Sequence, residues 1–144
     1  LPQDYLPCLT LVPGLLKTLK LLKKQGYILV ALSTHPHKRA EADRHMASKI
    51  DHLQLKSVFD FVYTARPYPW GKGKVIESVL KKRKIKKTHA LLVGDSYVYD
   101  YQSAKMVVVE CILIRTEYVK IPFLKRLMGR TITETKEIIN HLIK

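Results

Sequence analysis

Three short segments carry residue types that suit one chemistry. Ser33 and Thr34 form a hydroxyl pair at the end of the apolar run "YILVALS"; Lys72 and Lys74 flank a glycine in "GKGK"; Asp95 and Asp100 follow the apolar run of "HALLVG". Hydroxyl and backbone N–H donors bind phosphate oxygens, lysine brings a compact positive charge, and carboxylates hold a divalent ion such as Mg²⁺, which takes one or two protein carboxylates and fills its octahedron with water and phosphate oxygens. The set therefore points to a phosphate group handled beside a metal. "GKGK" does not make a nucleotide-binding loop, because Gly-x4-Gly-Lys-Ser/Thr fails in either register: for Lys72, Arg66 stands where the first glycine should be, and for Lys74, Val75 follows where a Ser or Thr should be.

These residues act together only if the elements around them bring them to one place. "PGLLKTLKLLKKQG", 13–26, predicts a helix, with Pro13 in the first turn, Gly26 at the C-terminal cap, and Leu15, Leu16, Leu19 and Leu22 at helical spacing. "YILVALS" is apolar throughout, as in a strand covered on both faces. A second helix is expected within 37–50 and a strand in "FDFVYTA", followed by a loop in "RPYPWGKG" and a helix in "KVIESVLKKRK". After the "HALLVG" strand come a helix over 101–106, the longest strand candidate in "VVVECILIR", a short helix in "IPFLKRLMG" and a closing amphipathic helix in "TETKEIINHLIK".

Alternating strands and helices imply an α/β fold, a three-layer Rossmann-like parallel sheet with helices on both sides. Ligands in such folds bind beyond the carboxyl ends of the strands. Ser33, Thr34 and His35, then Thr64 to Arg66, then Gly94, Asp95 and Ser96 are thus the candidate rim.

The motifs in this order resemble the haloacid dehalogenase-like hydrolases. "VPGLLKTLKLLKKQGYILVALSTHP" is similar to the family's helix and following strand ending in Ser or Thr, "GKGKVIESVL" to its lysine-bearing segment, and "HALLVGDSYVYDYQSAK" to its final Gly-Asp motif with a second Asp five residues on. The resemblance runs from about Pro13 to Arg115. It implies an Mg²⁺-dependent phosphatase acting on a small phosphorylated substrate, a phosphomonoester, through a covalent aspartyl-phosphate. Carried over by residue, Ser33 and the Thr34 amide would bind the transferring phosphoryl group, Lys72 would neutralise charge on phosphate and nucleophile, and Asp95 would coordinate the metal. Asp100 would either join the metal through water or orient Lys72. Lys74 and Arg66 stand as substitutes for the lysine role, since "RPYP" also resembles a variant of that motif.

The family's nucleophile lies in an Asp-x-Asp motif after its first strand, and no such motif occurs among the 144 residues. Asp4 has no apolar strand before it and no acid two residues on. The expectation is a single core domain, 1–144, whose first strand and acids lie upstream of Leu1. The alternatives are a catalytically inactive binding module and a strand supplied by a second chain. Between Thr34 and Lys72 there is no room for a large cap domain.

Composition adds two boundaries. No apolar run reaches the ~18 residues of a membrane helix, and no signal peptide opens the chain, so a cytoplasmic protein is the default expectation. Cys8 and Cys111 are far apart in apolar segments and read as core residues rather than a disulfide or metal pair. The formal charge of +14 admits a nucleic acid or another polyanion as partner of the inactive form. The lysines cluster at 17–24 and 81–87 on expected outer helix faces without interleaved aromatics, which favours a solvated surface.

Overall fold

A computed structural model describes residues 14–36, 38–66, 71–114, 131, 132, 137, 138 and 142. The elements are α1 (Leu15–Lys24), β1 (Val30–Thr34), α2 (Arg39–His52), β2 (Phe61–Ala65), α3 (Gly71–Arg83), β3 (Leu91–Gly94), α4 (Ser103–Met106), β4 (Glu110–Ile114) and β5 (Thr131–Ile132). A 3-10 turn over Lys87–His89 leads into β3, and a π-helical segment, Tyr97–Gln102, leads into α4.

Every strand pairing is parallel. β1 pairs with β2, placing Ser33 opposite Thr64 and Thr34 opposite Ala65; β3 pairs with β4, which pairs with β5. Among the described residues the two groups form separate sheets, with no ladder between β1 and β3. They nevertheless share a core. Ala31 of β1, Ile112 and Ile114 of β4, Leu19 and Leu22 of α1 and Met46 and Ile50 of α2 form one apolar cluster, with Leu91 and Val93 packed against it.

On the opposite face, Cys111 and Leu113 of β4 meet Leu80 of α3, Ala104 of α4 and Tyr101. Alternate residues of β4 thus enter the two clusters, and Ile112 and Leu113 are wholly buried. This is the period-two signature of a strand covered on both sides. The α/β architecture with helices on both faces agrees with the sequence expectation.

Helices α1 to α4 close in the same way. The N–H of Tyr27, Leu55, Ile85 and Val109 reaches back five residues to the carbonyl of Leu22, Ile50, Leu80 and Ala104. The residue before each donor has positive φ: Gly26 (92°), Gln54 (57°), Lys84 (56°) and Val108 (60°). This is the Schellman closure, in which a left-handed residue turns the chain out of the helix and an apolar pair straddles the turn. Only Gly26 adopts that φ without a Cβ penalty, so only the end of α1 was marked in the sequence.

The same closure corrects one expectation. "VVVECILIR" is not the longest strand: Val107, Val108 and Val109 are consumed in ending α4, Val108 is 77% exposed, and β4 has five residues, as do β1 and β2. Two further differences are smaller. Gly71, Lys72 and Gly73 belong to the first turn of α3 rather than to the preceding loop, and β5 carries no pattern by which its two residues could have been found. The expected helix in "IPFLKRLMG", Cys8 and Asp4 lie outside the described residues. Of the expected C-terminal helix, Ile138 and Leu142 are described, helical and packed on the shared core.

Candidate active site

The centre of the site is a buried carboxylate. Asp100, 2% exposed, sits in the π-helical segment after β3. Its Oδ1 accepts from the Lys72 ammonium at the start of α3, and its Oδ2 accepts from the N–H of Asp95 at 3.1 Å and of Ser96 at 3.0 Å. Ser96 in turn caps the segment, its Oγ accepting from the Tyr99 N–H at 3.0 Å. One acid therefore ties together the end of β3, the turn after it and the first turn of α3.

The close approach depends on Gly94. A Cβ there would lie 2.7 Å from Asp100 Cβ and would overlap its carboxyl group. The glycine that ends the strand is thus the residue that admits Asp100. π-Helical bulges concentrate at functional sites because they re-aim side chains out of the regular ladder, and this one turns Asp100 inward while leaving Val98 and Tyr99 exposed. Tyr97 and Tyr101 stack with ring centroids 5.4 Å apart on the inner side. Cys111 of β4 is buried close by. Burial pushes its thiol up to about 12, the Asp100 carboxylate adds to that rise, and the Lys72 ammonium opposes it.

Asp95 differs from Asp100 in every respect. It is exposed at the carboxyl end of β3, and its side chain takes no part in the hydrogen bonds that hold the turn. An exposed carboxylate beside a neutralised lysine–aspartate pair fits one protein ligand of a Mg²⁺ ion. Asp100 fits that role less well because both its oxygens are engaged, so of the two roles expected for it, the arrangement supports orienting Lys72. Among the described residues no group of three or more His, Cys, Asp and Glu is placed to hold a metal. A metal here would thus draw the rest of its oxygens from phosphate, water and acids beyond this group.

The other expected residues lie elsewhere on the strand ends. Ser33 and Thr34 are the last residues of β1, half-buried, with no hydrogen bond or ion pair to the Lys72–Asp100 pair among the described residues. Thr34 Oγ1 is buried without a hydrogen-bond partner, a costly condition for a hydroxyl that a ligand oxygen would relieve. His35, the next residue of the candidate rim, is 5% exposed, its N–H bonded to Ala65 O at 2.9 Å. Of the three candidates for the lysine role, Lys72 alone reaches Asp100; Lys74 is exposed, and Arg66 donates to Pro36 O at 3.0 Å.

A family model of haloacid dehalogenase-like hydrolases matches residues 4–114, most of the chain. The chain belongs to the haloacid dehalogenase-like hydrolases. Solved structures with the same fold include a protein assigned as a phosphoglycolate phosphatase from Lactobacillus delbrueckii, 23% identical, with a TM-score of 0.68 over 91% of this chain and 52% of that one. A protein assigned as a beta-phosphoglucomutase from Thermotoga maritima is 17% identical, with a TM-score of 0.69 over 91% and 59%. A haloacid dehalogenase-like family protein from Streptococcus pneumoniae is 19% identical, with a TM-score of 0.71 over 92% and 60%. This haloacid dehalogenase-like chain thus spans little more than half the length of these relatives. No curated protein sequence matches it. Among the described residues no helix is long and apolar enough to cross a membrane.

The basic clusters lie where the sequence put them. Lys17, Lys20, Lys23 and Lys24 on α1, and Lys81, Lys82, Arg83, Lys84, Lys86 and Lys87 at and after the end of α3, are all exposed. Sequence reasoning placed Lys82 only within a solvated basic cluster and did not single out Arg39; the fold brings both to one concavity with Arg66 and Lys74. No local pattern marks them, because they come from separate elements.

Proposed function

We propose that this chain is the core of a Mg²⁺-dependent phosphatase that cleaves a phosphomonoester through an aspartyl-phosphate. The observation that carries the reading is the buried Lys72–Asp100 pair, bound to the turn that presents the exposed Asp95. Holding a lysine in one position by a buried acid is an expense a turn does not need for its own stability, and it suits a group that must meet charge at a defined place.

In this reading the nucleophilic aspartate stands on a strand outside these 144 residues, paired between β1 and β3. Strands hydrogen-bond at ~4.8 Å spacing, and this reading is supported by two parallel sheets that share one core with no ladder between them among the described residues. Its carboxylate attacks phosphorus as the P–O bond to the substrate breaks, the leaving oxygen taking a proton from the second acid of the Asp-x-Asp motif; water, giving a proton back to that acid, then cleaves the aspartyl-phosphate to inorganic phosphate and the free carboxylate. The Ser33 hydroxyl, the Thr34 amide and the unpartnered Thr34 Oγ1 supply donors to the phosphoryl oxygens. The Lys72 ammonium, steadied by Asp100, lies against the charge shared by phosphate and nucleophile. Asp95 is the ligand for Mg²⁺, which when bound would neutralise phosphate charge.

The test is hydrolysis of p-nitrophenyl phosphate by the full-length protein with and without Mg²⁺. Turnover should require the metal and fall more than tenfold in Asp95→Asn. A smaller loss removes Asp95 from the site, and absence of turnover together with salt-sensitive binding to a nucleic acid would favour the inactive binding module.

A further inference from the structure

A cavity of about 520 Å³ opens beside the candidate active site at the carboxyl ends of β1 and β2. That volume lies within the range of small-molecule pockets, ~300–1,000 Å³. Part of its lining is apolar and aromatic, from Ala42 of α2, Tyr63 of β2 and Val75 and Val79 of α3. Part is basic. Lys74 and Lys82 project from one face of α3 with Ser78 between them, and Arg39 and Arg66 come from α2 and the end of β2.

Among the described residues no carboxylate lines the cavity. Asp43 of α2 accepts from Thr64 Oγ1 at 2.6 Å and lies 3.9 Å from Arg39 Nε, so it answers part of one positive charge. Arg66 is fixed in direction by its hydrogen bond to Pro36 O. Like charges gathered around a concavity repel each other and gain little from solvation alone. Here four exposed cations from three elements line one concavity.

We propose that this cavity is a binding site for a small organic polyanion, a molecule with at least two anionic groups on an apolar or sugar-like body. The apolar part of the lining takes the body, and the arginines and lysines take the anionic groups, with arginine offering bidentate contacts. A concave space rimmed by four cations from three elements suits a compact ligand better than a nucleic-acid strand, which needs an extended basic groove with stacking aromatics. The proposal requires binding only and stands apart from the phosphoryl-transfer reading.

The test is titration calorimetry on the full chain at fixed ionic strength with inorganic phosphate, fructose 1,6-bisphosphate and adenosine diphosphate. At least one of the two organic probes should bind ten or more times tighter than phosphate. The double variant Lys74→Gln/Lys82→Gln should lose at least tenfold of that affinity, and Lys20→Gln/Lys24→Gln, which removes two exposed charges from α1, should stay within twofold. The proposal is overturned if neither organic probe exceeds phosphate tenfold, if the α1 pair costs as much as the α3 pair, or if a single-stranded oligonucleotide displaces the probe and binds tighter. No step depends on turnover, so an inactive enzyme leaves the binding result standing, and a failed titration leaves the proposed chemistry untouched.

Discussion

Replacing Lys72 by Met keeps the stem of the side chain and removes its charge, which isolates what the ammonium does for Asp100. The acid is 2% exposed and Lys72 13% exposed, so water cannot replace the lost partner without opening the site. Breaking a buried ion pair from one side costs ~3–5 kcal/mol, because the remaining charge is left uncompensated. Asp100 would keep the N–H groups of Asp95 and Ser96 on Oδ2, which places the cost near the lower bound, about 3 kcal/mol. For a domain of this size that is a fall in Tm of roughly 10 °C. Asp100→Asn should cost a similar amount, since it strands Lys72 and places an amide N–H₂ where an acceptor is needed. The double variant removes both charges at once. Its cost should therefore fall short of the sum of the singles by about 2 kcal/mol, the coupling expected of groups in direct contact. Urea unfolding of the three variants and the parent reads all four corners of the cycle. Single-variant costs below ~1 kcal/mol, or additivity within ~0.5 kcal/mol, would refute the pair as the element that organises this site.

Gly94→Ala should destabilise by about 2–3 kcal/mol in the same assay, because its Cβ displaces the Asp100 carboxylate from the turn. Asp95→Asn should change stability by less than ~0.5 kcal/mol, as its exposed side chain holds nothing in the fold; a large loss would assign it a structural role. Val108→Gly should stabilise by roughly 0.5–1 kcal/mol, since relief of the left-handed φ of 60° outweighs the extra chain entropy of glycine at a residue that is 77% exposed; a fall in Tm would contradict the strain argument. In a Cys8→Ser background, Cys111 should react with iodoacetamide at pH 8 at least a hundred times more slowly in the folded protein than in urea. Its folded thiol is raised from 9.0 to about 12, so the unfolded thiol ionises first and stability should decline as pH rises from about 9 towards 12. Unchanged stability across that window would show that Cys111 is not held protonated.

The positions where strands meet the rim were legible in the sequence, because an apolar run ending in a small polar residue records both burial and the turn that follows. Ser33, Thr34 and Asp95 could therefore be placed at strand ends, and the α/β class followed from the order of elements. The ends of α2, α3 and α4 were not legible. Their left-handed residues are Gln54, Lys84 and Val108, and each closure is held by a reach-back hydrogen bond and an apolar pair instead of a glycine.

The lysine role shows the division most clearly. Lys72, Lys74 and Arg66 are equivalent by charge and nearly so by position, and the sequence by itself determined only that a cation stands near the start of α3. Which of them meets the acid depends on the angle at which α3 packs against the turn after β3, and a helix advances about 100° per residue, so Lys74 points away when Lys72 points in. The partners of Asp100 were likewise not legible; the fold gives its oxygens a lysine and two backbone N–H groups. Strand ends are local facts written in adjacent residues; the Lys72–Asp100 pair spans 28 residues, and only tertiary packing decided it.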